Sequence, residues 1–156
     1  LKAVNSQATN GDNLTAILQH LFQELNNDSI MLELLKWEVA NNNNITTRTA
    51  MLREIHILPL VTEFEARFKE KDIDIAALTA LIIGGLYYLS LHKDRSPFSG
   101  IDINNENGSK RILNAIKYFV DKIYEEDKLY KEKISIADKL KEAGISDDII
   151  HQSVWA

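Results

Sequence analysis

The chain has 156 residues, of which 45% are hydrophobic and 26% are charged. These proportions are typical of one globular domain and exclude a disordered chain or a multi-span membrane protein. Its 18 basic and 23 acidic side chains give a net charge of −5, the wrong sign for a free-standing nucleic-acid binder. The absence of cysteine excludes disulfides and thiolate chemistry and fits a reducing compartment, so we predict a cytoplasmic protein.

The first thirteen residues, LKAVNSQATNGDN, have neither the basic opening nor the apolar core of a signal peptide. Because the chain begins at Leu1 without an initiator Met, we expect that a segment precedes it. Asp12 or Asn13 is then predicted to cap a first helix, since apolar residues follow at steps of three and four. These residues are Leu14, Ile17, Leu18, Leu21, Phe22 and Leu25.

Two further amphipathic helices are predicted before residue 70. The polar stretch Asn26–Ser29 ends the first helix and offers caps for a second, which carries Trp37 and runs to the asparagine run at 41–44. A third helix is predicted to begin at Thr46 or Thr47, and Pro59 in its interior should kink it. Its apolar positions are Met51, Ile55, Leu58, Val61, Phe64 and Phe68.

The next segment is the most unusual of the sequence. Ile75–Leu91 contains 17 uncharged residues, which is at the lower limit of the ~17–25 needed to cross a bilayer. A membrane span is therefore one interpretation. A glycine inside a helix costs ~1 kcal/mol relative to alanine, so the pair Gly84–Gly85 indicates either close approach of another backbone or relief of crowding inside a monomer core.

Two more helices are predicted after this segment. Pro97 and Gly100 favour a chain reversal, followed by a helix over 106–125 that carries Ile112, Ile116, Phe119 and Val120. The tail predicts a helix near 134–143, terminated by Gly144, and then a short helix. The tail resembles a helix-turn-helix unit, but Asp147 and Asp148 would repel DNA at the start of its second helix, so we predict ordinary packing.

Several of these motifs together resemble the C-terminal regulatory domain of the TetR/AcrR family of bacterial transcriptional regulators. LLKWEVANNNNITTRTAMLRE is similar to a Leu-x-x-Trp-Glu segment followed by an Asn-rich turn. ALIIGGLYYLSLHKD, followed by FSGIDINNENG, is similar to the family's penultimate helix, its charged turn and the acidic, glycine-bearing start of the last helix. The corresponding residues are His92, Lys93, Asp94, Gly100, Ile101, Asp102, Ile103, Asn104, Glu106 and Gly108.

The resemblance implies an all-α antiparallel bundle of five to seven helices that forms a homodimer. Helices 74–92 and 106–124 would pair with their copies as an intersubunit four-helix bundle. Residues 1–156 would form a single helical domain, with the end of a linker helix and a loop over 1–12, a regulatory core over 13–125 and a helical extension over 126–156. The predicted interface residues are Ala77, Ala80, Leu81, Gly84, Gly85, Tyr88, Ile112, Ile116, Phe119 and Val120.

The resemblance also implies a repressor function. A small, mostly apolar effector would bind among the middle helices and shift the dimer out of its DNA-binding geometry. DNA would be bound only through an N-terminal helix-turn-helix domain, which this sequence lacks, and no membrane would be involved. The candidate ligand-binding residues, which equally suit a plain core, are Trp37, Glu38, Met51, Ile55, His56, Phe64, Phe68, Tyr87 and Tyr88.

No pattern in the sequence predicts catalysis, a metal site or a cofactor. Nucleophile elbows, phosphate-binding loops and dinucleotide fingerprints are absent. Asp148 and His151 have ligand spacing but lack companions. We therefore predict a protein that is not an enzyme, with two alternatives to the repressor domain: a helical module that binds another protein without a small-molecule pocket, and a membrane-anchored helical protein.

Overall fold

The computed structural model describes residues 10–69 and 74–155, and this part of the chain is all-helical. It contains six α-helices, which confirms the predicted all-α class. Their bounds are α1 Asn10–Asn27, α2 Ser29–Ala40, α3 Asn44–Phe68, α4 Ile75–His92, α5 Glu106–Glu142 and α6 Asp147–Val154. The described residues form two compact units, divided within α5 between Lys117 and Tyr118.

Side-chain caps set the beginnings of α2, α3 and α4. Asp28 caps α2 by accepting a hydrogen bond from the backbone N–H of Met31 at 2.9 Å, and Asp74 caps α4 in the same way. Asn43 forms a reciprocal capping box with Thr46, so α3 begins two residues before the predicted Thr46. The predicted start of α1 was also too late, because Asp12 and Asn13 already lie inside the helix. The polar stretch KEKD at residues 69–72 predicts a break after α3, and residues 70–73 lie outside the described residues.

The first unit is organised around α1 and α4. Helix α1 contacts α2 and α4, and α4 also contacts α2 and α3. The apolar stripe of α1 forms the centre of the core, as its spacing predicted: Leu14, Leu18, Phe22 and Leu25 are all buried. Hydrogen bonds from Lys93 to the Asn26 carbonyl and from Asn26 to Ser90 join the ends of α1 and α4. Helix α3 continues through Pro59 and buries Phe64 and Phe68.

The connection from α4 to α5 is a tightly built turn. Phe98 and Ile101 exchange two backbone hydrogen bonds across Ser99 and Gly100, and both central residues have positive φ, as a primed turn requires. The predicted reversal at Gly100 is therefore confirmed. Beyond it, the Asn105 side chain accepts from the Gly108 N–H at 2.8 Å and caps α5.

Helix α5 corrects one prediction. The sequence suggested one helix ending near residue 125 and another near 134–143, but a single helix runs over Glu106–Glu142. The intervening residues contain no glycine or proline, and pairs four residues apart, Lys131 with Asp127 and Lys128 with Glu132, favour continuation. Charge alone therefore does not break a helix.

The second unit, from Tyr118 onward, contains the rest of α5 and all of α6. Gly144 has a φ of +81° and ends α5 as predicted: its N–H donates to the Lys141 carbonyl, and the Ile145 N–H donates to the Leu140 carbonyl. The short second helix of the tail is also present as α6, which buries Ile150 and Val154. Trp155 contacts Tyr130, with ring centroids 5.6 Å apart.

Candidate binding surface on helix α4

Helix α4 is the most apolar helix and is poorly covered by its own chain. Among the described residues it is the one helix long and apolar enough to cross a membrane, and only 17% of its 18 residues are buried. Ile75, Leu86 and Ser90 are its buried residues, whereas Leu81 is 74% exposed. An apolar helix in the core of a soluble chain would have most of its residues buried, so a large apolar face of α4 remains open.

Gly84 and Gly85 lie in this open face. A Cβ atom placed on either glycine would meet no atom within 4 Å. Neither glycine therefore makes room for a neighbour inside the chain, and crowding within a monomer core does not explain the pair. The cost of two helical glycines remains uncompensated in the single chain.

One side of this face forms an apolar groove of about 600 Å³, which we call the α4–α5 groove. Its walls are the exposed side of α4, the turn before α5 and one residue of α5 itself. The lining residues are Ala80, Leu81, Gly84, Gly85, Tyr88, Leu89, Phe98, Ser99, Ile101 and Ile112. Tyr88 packs edge-on against Phe98 at 5.1 Å between ring centroids, which closes one wall.

A second groove, of about 630 Å³, lies between α3 and α4, and we call it the α3–α4 groove. Helix α3 presents residues spaced by three or four, and α4 presents small residues at the same spacing, which leaves the space open. The lining residues are Ala50, Arg53, Glu54, Ile57, Val61, Ala76, Ala77, Thr79, Ala80, Ile83, Gly84 and Tyr87. Ala80 and Gly84 line both grooves, so one ridge of α4 separates them.

Arg53 enters the α3–α4 groove with its charge already paired. Its guanidinium donates to Glu38 Oε1 on α2, and the other carboxylate oxygen of Glu38 accepts from the Thr49 hydroxyl at 2.8 Å. The Glu38 side chain is only 16% exposed, so solvent screens this ion pair incompletely. Glu54, in contrast, is exposed and no described residue forms an ion pair with it.

The two grooves bring together few of the predicted ligand-binding residues. Tyr87 lines the α3–α4 groove, Glu38 contacts it through Arg53, and Tyr88 lines the α4–α5 groove. The remaining six lie elsewhere because they occupy other faces of their helices. Phe64 and Phe68 are buried in the core, and the exposed ones are Trp37, Met51, Ile55 and His56.

The predicted interface residues also divide into two groups. All six on α4, namely Ala77, Ala80, Leu81, Gly84, Gly85 and Tyr88, are exposed. On α5, Phe119 is 41% exposed and Ile112 is partly exposed, but Ile116 and Val120 are already buried in the single chain. A partner could therefore bury the exposed α4 side chains, whereas Ile116 and Val120 offer it little further apolar surface to bury.

A third, smaller pocket of about 260 Å³ lies between the ends of α2 and α4. His92 stacks on Tyr88 there, with ring centroids 5.3 Å apart.

Hydrogen bonds to Glu33 and Asp94 raise the pKa of Lys36 above its usual 10.5. The charged Lys36 side chain therefore stabilises the folded state. This stabilisation is complete below pH 10.5 and is lost as the pH rises through the raised pKa that Lys36 has in the folded state.

The histidines and carboxylates of the described residues form no metal-binding group. Within 10–69 and 74–155, no three His, Asp or Glu side chains are grouped so as to hold a metal ion. His20 and His151 are exposed on α1 and α6, and the Nδ1–H of His56 donates to the Leu52 carbonyl within its own helix.

The large apolar side chains of α3 do not reveal the α3–α4 groove, because its α3 wall includes Arg53, Glu54 and Ile57. The available signal was the matched spacing of Ala50, Glu54, Ile57 and Val61 against the small residues Ala76, Ala80 and Gly84.

These features define an all-α protein with an uncovered apolar helix flanked by two grooves. Comparison with known proteins gave no match to a family model, a curated protein or a solved structure.

Proposed function

We propose that the chain is an effector-binding and homodimerisation domain of a TetR-like transcriptional repressor. The observation that carries the proposal is the uncovered apolar face of α4, with two glycines whose Cβ positions are open. The resemblance of the α4 and α5 motifs to that family supplies the regulatory context. DNA binding would belong to a separate helix-turn-helix domain.

A second copy of the chain suits the α4 face in shape and chemistry. Glycine and alanine allow two helices to approach closely, and Leu81 and Tyr88 beside them supply apolar area. A two-fold axis near Gly84 would place the small residues of each copy against helix α4 of the other copy. The same surface patch would then form both sides of the interface. The α4–α5 groove would then accommodate side chains of the partner.

The α3–α4 groove suits a small effector. Its lining is mostly apolar with a few polar groups, which is the usual character of small-molecule sites. Because Ala80 and Gly84 line both grooves, an effector would contact the same ridge of α4 that the partner contacts. An effector that prefers one position of this ridge would therefore shift the equilibrium between two arrangements of the dimer. The free energy of this shift cannot exceed the difference in the effector's affinity for the two arrangements.

This coupling predicts a measurable linkage. We expect the neutral fluorophore N-phenyl-1-naphthylamine to bind the chain and to change its dimer dissociation constant, measured by analytical ultracentrifugation, by about fivefold or more. The affinity of the fluorophore should depend on protein concentration by the same factor. Binding that leaves the dimer constant unchanged would contradict the proposed coupling, and absence of binding would contradict the effector site.

The repressor role requires a separate test on the full-length protein. We expect an effector identified in this way to weaken operator binding when it is added during a DNA titration. An effector that binds while operator affinity stays the same would contradict the regulatory part of the proposal, even if the dimer is present.

A second candidate function is a helical module that binds a different protein. It is favoured by the apolar side chains exposed on α2 and α3, which include Ile30, Leu34, Met51, Ile55 and Leu58. These are not part of either groove. Such a module would remain a monomer when purified. A membrane-anchored protein, the third candidate, would require detergent to remain in solution.

A further inference from the structure

We propose that the α3–α4 groove selects an apolar molecule with a single positive charge. The inference rests on the proposed effector site and adds the chemical class of its ligand. It follows from the charges that face the groove, because its size and apolar lining alone suit a neutral, a positive or a negative molecule equally.

The positive charge in the groove is compensated within the protein. Glu38 accepts a hydrogen bond from Arg53 and is itself fixed by Thr49 at 2.8 Å. An anionic ligand would have to compete with a carboxylate that is already positioned and largely withdrawn from solvent. Arg53 is therefore a poor anchor for a negative group.

The negative charge in the groove is not compensated. Glu54 lies next to Arg53 on the same wall, and no described residue forms an ion pair with it. Together with the Glu38–Arg53 pair, it leaves the groove with one excess negative charge. A cation near Glu54 would gain attraction, whereas an anion would be repelled.

Tyr87 provides the second feature that suits a cation. Tyr87 lines the same groove from α4, and the face of an aromatic ring attracts positive charge. The alanines and Gly84 leave room for a bulky apolar body beside it. An apolar cation therefore matches the groove in volume, lining and charge.

The test uses two ions of the same shape and opposite charge, tetraphenylphosphonium and tetraphenylborate, titrated into the intact chain by calorimetry. We expect the phosphonium ion to bind at least about fivefold more tightly than the borate at low salt, as for unit charges ~5 Å apart that are screened by water, since Glu54 is exposed. The difference should shrink as the salt concentration rises.

The Glu54→Gln variant locates the effect. It should lose about fivefold in affinity for the phosphonium ion and bind the borate at least as well as the unaltered chain. Glu63→Gln is the matched control: it makes the same charge change on α3, nine residues along and so ~180° around the helix. It should leave both affinities unchanged, and melting curves should show that both variants fold.

Equal binding of the two ions, or equal effects of the two substitutions, would overturn the charge preference. The proposed effector site would survive that result, because N-phenyl-1-naphthylamine tests it without charge. Failure of both ions to bind would also overturn the inference. A monomeric chain that still prefers the phosphonium ion would instead contradict the dimer while leaving the ligand class standing.

Discussion

Replacing Leu81 by glutamate is expected to convert the dimer to monomers. Leu81 is 74% exposed in the single chain, so the substitution places its charge in water and leaves the monomer intact. In a two-fold interface across α4 the same change buries two carboxylates without partners. We expect association to weaken by at least about 3 kcal/mol, or about a hundredfold.

Leu34→Glu is the matched control for this experiment. Leu34 is 61% exposed on α2 and lines neither groove, so the same chemical change there should leave the dimer unaffected. Sedimentation velocity at several concentrations measures both variants, and circular dichroism checks that they fold. A Leu81→Glu chain that dimerises as well as the Leu34→Glu chain would place the interface elsewhere.

Replacing Gly108 by alanine is expected to destabilise the first unit strongly. A Cβ on Gly108 would overlap the carbonyl oxygen of Asp102 and lie 2.6 Å from its carbonyl carbon. The obstacle is backbone, which is held in place by the turn at Phe98–Ile101 and by the Asn105 cap. Overpacking of this kind typically costs about 1–3 kcal/mol, and we expect the upper part of that range.

Gly85→Ala provides the contrast. A Cβ there meets nothing within 4 Å, and alanine is favoured over glycine in a helix by about 1 kcal/mol. Urea denaturation should therefore show lower stability for Gly108→Ala and equal or higher stability for a Gly85→Ala monomer. If Gly108→Ala unfolds at the same urea concentration as the unaltered chain, the close packing of the turn against α5 is wrong.

The sequence predicted the helices better than it predicted the grooves. The spacing of apolar residues predicted α1 and its buried residues, because the apolar face of an amphipathic helix follows from the sequence of that helix alone. Gly100 and Gly144 were recognised because their conformations are local requirements. Helix α5 was divided incorrectly because a run of charged residues resembles a break, although pairs such as Lys131 with Asp127 keep such a run helical.

The grooves were beyond sequence reasoning because they depend on how two helices pack. Aromatic residues at helical spacing predict a ligand site at Phe64 and Phe68, yet these side chains are buried in the core. The sequence predicts no role for Arg53 and Glu54, because that role depends on Glu38 from another helix and on the small residues of α4. Residue type indicated which helices contribute to the candidate site. Only the packing showed which faces of those helices remain open to solvent.

The central claim is that a second copy of this chain covers the open face of α4. Sedimentation equilibrium of the unaltered chain in buffer without detergent tests it most directly. We predict a mass of twice the 17.8 kDa of one chain, reduced to a single chain by Leu81→Glu. A mass of one chain at all concentrations, or a chain that stays in solution only with detergent, would contradict the account.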